Sequence, residues 1–106
     1  MSVGFSPVDI QGLPISSATG ALSTTTTEIA MPTTKKTTLV MAWSDIAFYL
    51  AINDGTNIDC GASNSAICPP NVPCFFPVRR GSNLGPVSVH VEAVTGSGTY
   101  YVSFMA

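Results

Sequence analysis

From Val87 to Ala93 the chain alternates strictly, with Val87, Val89, Val91 and Ala93 on one phase and Ser88, His90 and Glu92 on the other. Successive side chains of a strand leave on opposite faces, so a period of two marks a strand with one buried face and no helix reproduces it. The same period runs through Ile46 to Asn53, where Ile46, Phe48, Leu50 and Ile52 share a face and Ala47, Tyr49, Ala51 and Asn53 share the other. Thr37 to Trp43 has few polar groups and predicts a strand buried on both faces or central in a sheet. Nothing in the chain reads as a long amphipathic helix.

Turn chemistry punctuates these runs. Asp54-Gly55 ends one strand, and residues 56 to 73 are loop chemistry with a short extended piece near Ala66 and Ile67. Phe75, Phe76 and Val78 form a short strand that Pro77 confines to an edge, because proline has no ladder donor. Arg79 to Pro86 is a turn, and Thr95-Gly96-Ser97-Gly98 reads as a hairpin connection that makes Thr99 to Met105 the partner of the Val87 strand. Short strands with turn signals roughly every 8–12 residues predict an all-β domain, a small antiparallel β-sandwich or jelly-roll-like barrel. The N-terminal third sets isolated apolar residues (Phe5, Val8, Ile10, Leu13, Ile15, Leu22) among Pro7, Gly12, Pro14 and Gly20 without a sustained period. Residues 1–27 are therefore expected as an extended N-terminal arm or edge strands, and residues 28–106 as the sandwich. Thr24 to Thr27 suits a half-exposed strand leading into Glu28-Ile29-Ala30-Met31, and Pro32 to Lys36 reads as a turn.

A chain of 106 residues suits one domain. Its charged residues amount to 9%, against roughly 25% in an ordinary soluble domain, while 45% are hydrophobic. Ser, Thr and Asn supply the polarity, and a mean hydropathy of +0.36 provides enough apolar side chains for a core. So little charge favours association, which predicts burial against partners and a homo-oligomer, dimer or trimer. A net charge of −2 argues against a nucleic-acid partner, since phosphate contacts need clustered cations and only Lys35-Lys36 and Arg79-Arg80 are basic. Those pairs read as solvated turns or rim contacts. No run approaches the roughly 20 apolar residues of a membrane span, and Met1 to Phe5 lacks the features of a signal peptide. The expectation is a protein made in the cytosol with its cysteines starting as thiols.

The search for chemistry is brief. His90 is the sole histidine, and Ser88 and Glu92 share its face at steps of about 7 Å along one strand, too far apart to converge as a triad. They are expected as a solvated or interface stripe. Cys60, Cys68 and Cys74 are spaced C-x7-C-x5-C, without the close knuckle that presents two thiolates to zinc. Cys68 and Cys74 bracket the stiff Pro69-Pro70-Asn71-Val72-Pro73 segment, so a late disulfide and three free thiols are both open. Asp54 to Asp59 lacks the terminal bidentate Glu of an EF-hand, and Gly96-Ser97-Gly98 has no following helix and is no phosphate loop. Trp43 is expected in the core. Tyr100 and Tyr101 point to opposite faces, one anchoring the core and the other, with Ser103 and Met105, open to a partner. The reading is a non-enzymatic protein without metal or cofactor.

From Thr37 onward the order of parts resembles that of small structural proteins of tailed bacteriophages. The parts are Ile46 to Asn53, Asp54-Gly55-Thr56, the loop from Ala62 to Pro70, Phe75 to Val78, and the run from Val87 to Val102 through Gly96-Ser97-Gly98. The three cysteines and Pro69-Pro70 depart from the pattern. What the resemblance implies is a capsid decoration or cement protein on the virion surface, assembled in the host cytoplasm and bound to the major capsid protein in many copies. A tail, neck or fibre-associated component is the alternative. A carbohydrate-binding sandwich, with Trp43 or Tyr101 stacking on sugar rings, is the second. Candidate partner contacts are Phe5, Val8, Ile10, Arg79, Arg80 and Tyr101.

Overall fold

Eight strands and no helix form among the described residues. The computed structural model describes residues 14–32, 37–53, 59–78 and 88–105. The strands are β1 (Pro14–Leu22), β2 (Thr27–Ala30), β3 (Leu39–Ser44), β4 (Phe48–Asn53), β5 (Ala66–Cys68), β6 (Cys74–Pro77), β7 (Ser88–Ala93) and β8 (Gly98–Met105). They make two four-stranded sheets, a front sheet ordered β1-β8-β3-β6 and a back sheet ordered β2-β7-β4-β5. Every pairing is antiparallel. The expected small antiparallel β-sandwich is the observed architecture.

The pairing has a simple logic. β1 pairs with β8, β2 with β7, β3 with β6 and β4 with β5, nested like the rungs of one long hairpin. Rolling that hairpin adds the β3–β8 and β4–β7 ladders and sends alternate rungs to opposite sheets. This strand order is that of a jelly roll. β8 thus lies between β1 and β3, and β7 between β2 and β4.

One consequence corrects the sequence reading. β7 and β8 are not a hairpin, because they lie in different sheets and residues 94–97 arch over the core between them. Both strands bury an apolar phase, Val89, Val91 and Ala93 on β7 and Tyr100, Val102 and Phe104 on β8. A short Gly-rich connection serves an arch as well as a hairpin, so local signals do not distinguish them. Gly96 supplies the positive φ of 76° at the bend. At Gly98 a Cβ would press on the Asp45 carboxylate and on Ile46, so the absent side chain lets the β3–β4 arch approach.

The core between the sheets is built from Phe48 and Leu50 on β4, Val89 and Val91 on β7, and Val40, Val102 and Phe104 from the front sheet. Phe48 and Phe104 are the largest fully buried side chains. Truncating either to alanine would cost roughly 3–5 kcal/mol. β1 is an edge strand paired with β8 from Pro14 opposite Met105 to Leu22 opposite Gly98, with a register shift between Pro14 and Ser16, and Leu22 is buried in the core. Of residues 1–27, expected as an extended arm or edge strands, Pro14–Leu22 form this edge strand and residues 1–13 lie outside the described residues. The Thr24 to Thr27 run becomes strand only at Thr27, because Ser23 to Thr26 carry β1 across to the back sheet. β3 is central, as expected, but it alternates in burial instead of hiding both faces: Val40, Ala42 and Ser44 are buried while Leu39, Met41 and Trp43 are half-buried.

Candidate functional site

Each sheet has an outer face that the core does not use. In the front sheet, β8 turns Thr99, Tyr101, Ser103 and Met105 outward, β3 turns Leu39, Met41 and Trp43, and β6 turns Phe75 and Pro77. None of these residues is charged. Phe75 is 59% exposed and Tyr101 40%. The register sets Thr19 of β1 and Trp43 of β3 on either side of Tyr101, which makes a row across three strands.

This row opens into a groove of about 340 Å³ lined by Thr19, Met41, Trp43, Pro73, Thr99 and Tyr101. Its size falls near the lower end of the roughly 300–1,000 Å³ found for ligand sites. The Thr19 hydroxyl donates to the Tyr100 carbonyl at 2.8 Å, so its proton is committed to the backbone. Asp45 stands nearby with Oδ1 accepting from the Thr99 N–H at 2.9 Å. That backbone N–H, with smaller help from the Ser44 hydroxyl, holds the Asp45 carboxyl below its usual range against a small opposing effect of burial.

Trp43 therefore lines the outer groove, which corrects its expected place in the core. Ser44, not Trp43, takes the inward phase at this end of β3, and it spends its hydroxyl on the Asp45 carboxylate and the Ile46 N–H. The two tyrosines divide as expected, Tyr100 inward and Tyr101 outward. Ser103 is 6% exposed and unavailable to a partner, contrary to expectation: its short side chain lies on a central strand between Ser17 of β1 and Met41 of β3. Of the other candidate contacts, Phe5, Val8, Ile10, Arg79 and Arg80 lie outside the described residues.

The back sheet's outer face is built differently. Glu28 accepts from the Ser88 hydroxyl at 2.7 Å. The Thr26 hydroxyl donates to Glu92 and accepts from the Cys60 N–H at 3.1 Å. Those bonds tie the segment from Asp59 to Ser65 to this face, and the segment is knit internally by Asn64, whose Oδ1 accepts from the Gly61 N–H and whose Nδ2 donates to the Asp59 carbonyl. Burial pushes the Cys60 thiol up, partly offset by the Ser65 and Thr26 hydroxyls.

Ser88, His90 and Glu92, expected as a solvated or interface stripe, are largely covered within the chain itself: Ser88 is buried, His90 is 1% exposed and Glu92 is half-buried. Alternation tells which side chains share a face, and says nothing about whether the chain later covers that face. His90 Nε2 has no hydrogen-bond partner among the described residues, and His90 opposes Glu28 on β2 and Ala51 on β4. Among the described residues no cluster of three or more His, Cys, Asp or Glu is placed to hold a metal, and no helix is long and apolar enough to cross a membrane. No protein-family model, no curated protein and no solved structure matches this chain.

Proposed function

We propose that this chain is a non-enzymatic protein-binding module of a virion, a decoration or cement protein that binds the major capsid protein through the outer face of its front sheet. The observation that carries the binding role is the uncharged aromatic row of Trp43 and Tyr101, continued by Met41 and the exposed Phe75. Aromatic anchors in shallow pockets dominate the energy of protein interfaces, and a face without charges is desolvated at little cost. The low overall charge and the resemblance to tailed-phage structural proteins supply the virion setting. Many copies on a shell, self-associated as dimers or trimers, would keep such a face out of water.

The test is co-sedimentation of the purified chain with particles stripped of it. Saturation at many copies per particle, lost on Trp43→Ala, supports the proposal. One or a few copies would move the assignment to the tail, neck or fibre. Absence from purified particles would end it.

A carbohydrate-binding reading draws on the same two rings, which stand side by side and could stack on a sugar. Sugar hydroxyls also need convergent polar side chains, and among the described residues none that lines the groove is a carboxylate or amide, the nearby Asp45 being bonded to the Thr99 N–H. A glycan screen separates the two readings: saturable binding lost on both Trp43→Ala and Tyr101→Ala would favour the sugar.

A further inference from the structure

Cys68 and Cys74 sit at a side of the sandwich where the chain passes between two edge strands. β5 is the outermost strand of the back sheet and β6 the outermost of the front, and residues 69–73 join them. Cys68 opposes Phe48 in its ladder, and Cys74 opposes Ala42. Directly opposed residues of an antiparallel pair share a face. Phe48 and Ala42 are core residues, so both thiols point into the space between the sheets. Cys68 is fully buried there, while Cys74 is half-buried and packs against the same cluster.

The connection holds them so. Pro69, Pro70 and Pro73 restrict the backbone, Asn71 takes a φ of 62°, and its N–H donates to the Ser44 carbonyl at 2.8 Å. Asparagine tolerates that conformation better than most residues.

We propose that Cys68 and Cys74 are an oxidative cross-linking site, whose disulfide staples the front sheet to the back sheet at their open β5–β6 edge. All three cysteines are thiols in this structure, so what is described is the reduced form. With a small-molecule disulfide such as oxidised glutathione as the oxidant, the half-buried Cys74 thiolate attacks one glutathione sulfur and releases one glutathione thiol. Cys68 then gives up its proton and attacks the Cys74 sulfur of the mixed disulfide, releasing the second. Two protein thiols become one disulfide, one glutathione disulfide becomes two thiols, and the protons end on the leaving glutathiones. Cys60 takes no part, because it is held on the outer face of the back sheet by Thr26.

Burial pushes the Cys68 thiol up to about 12, and the Cys74 thiol beside it, within hydrogen-bonding reach, adds to the shift. The second step is therefore slow near neutrality and accelerates as the pH rises. The site stays reduced in a thiol-rich compartment and closes after exposure to an oxidising one. This inference is independent of what the protein binds.

The experiment is oxidation of the intact folded chain by excess oxidised glutathione, followed by acid quench, alkylation and peptide mapping. Expected are an intramolecular Cys68–Cys74 disulfide, Cys60 recovered alkylated, a rate that climbs between roughly pH 7 and 9, and a rise in Tm of roughly 5–10 °C. Cys60→Ser should leave the reaction intact, and Cys74→Ser should abolish it. In concentrated urea, where sequence distance alone decides, Cys60–Cys68 should compete. Recovery of three alkylated thiols from the folded chain would overturn the proposal. So would a disulfide through Cys60, or the same pairing ratio folded and unfolded.

Discussion

The two outer faces of this sandwich come from the same period-two strands and have opposite fates. On the back sheet, Glu28 and Glu92 are tied to hydroxyls, the Cys60 segment is bonded to Thr26, and His90 is sealed from water. Ile67, at its β5 edge, is a large apolar residue left exposed there. On the front sheet, Trp43, Tyr101, Met41 and Phe75 carry no charge, and the groove they border is open. The back face shows how this chain covers a surface meant for itself: with a loop and a set of specific hydrogen bonds. Among the described residues the front face has no such cover, and the aromatic row is what an external partner would bury.

The contrast is broken most directly by placing the same carboxylate on each face. His90→Glu sets a third acid beside Glu28 and Glu92 in a buried position. It should cost roughly 3–5 kcal/mol, as uncompensated buried charges do. Tyr101→Glu on the open face should cost about 1 kcal/mol or less. Urea denaturation midpoints measure both, and equal losses would erase the distinction between a covered and an open face.

The next effect is on binding. Trp43→Ala removes the larger ring of the groove and should weaken attachment to stripped particles by about 30-fold, equivalent to about 2 kcal/mol at an interface anchor. Stability should change far less than affinity. A variant that binds normally would remove the front face from the proposal.

On the back face, Thr26→Ala deletes both the acceptor of the Cys60 N–H and the donor to Glu92. The expected loss is about 1–2 kcal/mol. Faster alkylation of Cys60 should accompany it, because the segment carrying that thiol loses its tether.

The smallest effect concerns Asp45 at the rim of the groove. Its carboxyl is held below the ordinary value by the Thr99 N–H in the folded chain. A depressed folded pKa contributes stability that is complete above the unfolded pKa and is lost as the pH falls through the folded one. Asp45→Asn should therefore leave a shallower decline on the acid side, beginning near the unperturbed value of 3.8 and extending below it. An unchanged acid limb in thermal melts would argue against the Asp45–Thr99 bond in solution.

Strand existence was legible because alternation and turn chemistry are local. β4, β5, β6 and β7 stand close to where the residues put them, as does the division of Tyr100 from Tyr101. Sheet membership was not legible. The residues around Gly96 could serve a hairpin or an arch, and only the pairing of β8 with β1 and β3 decides. The groove was hidden for the same reason: Thr19, Trp43 and Tyr101 are distant in sequence and become neighbours through register. Trp43 is expected inside because a tryptophan is more often a core residue than a ligand platform, but the phase of β3 is set by Val40 and Ala42. The phase of His90 predicts an outward face, and phase carries no information about whether that face is covered.

The position of β8 between β1 and β3 sets the order of events in folding. β8 is synthesised after both of its neighbours, so until Met105 has left the ribosome the front sheet lacks its middle. β1 waits with its ladder donors unpaired, and β3 waits with one edge open. Pairings this distant in sequence make slow folders, because loop closure must be completed before the contacts that reward it. Docking of β8 between its two neighbours is the step at which the uncharged aromatic face first comes into existence.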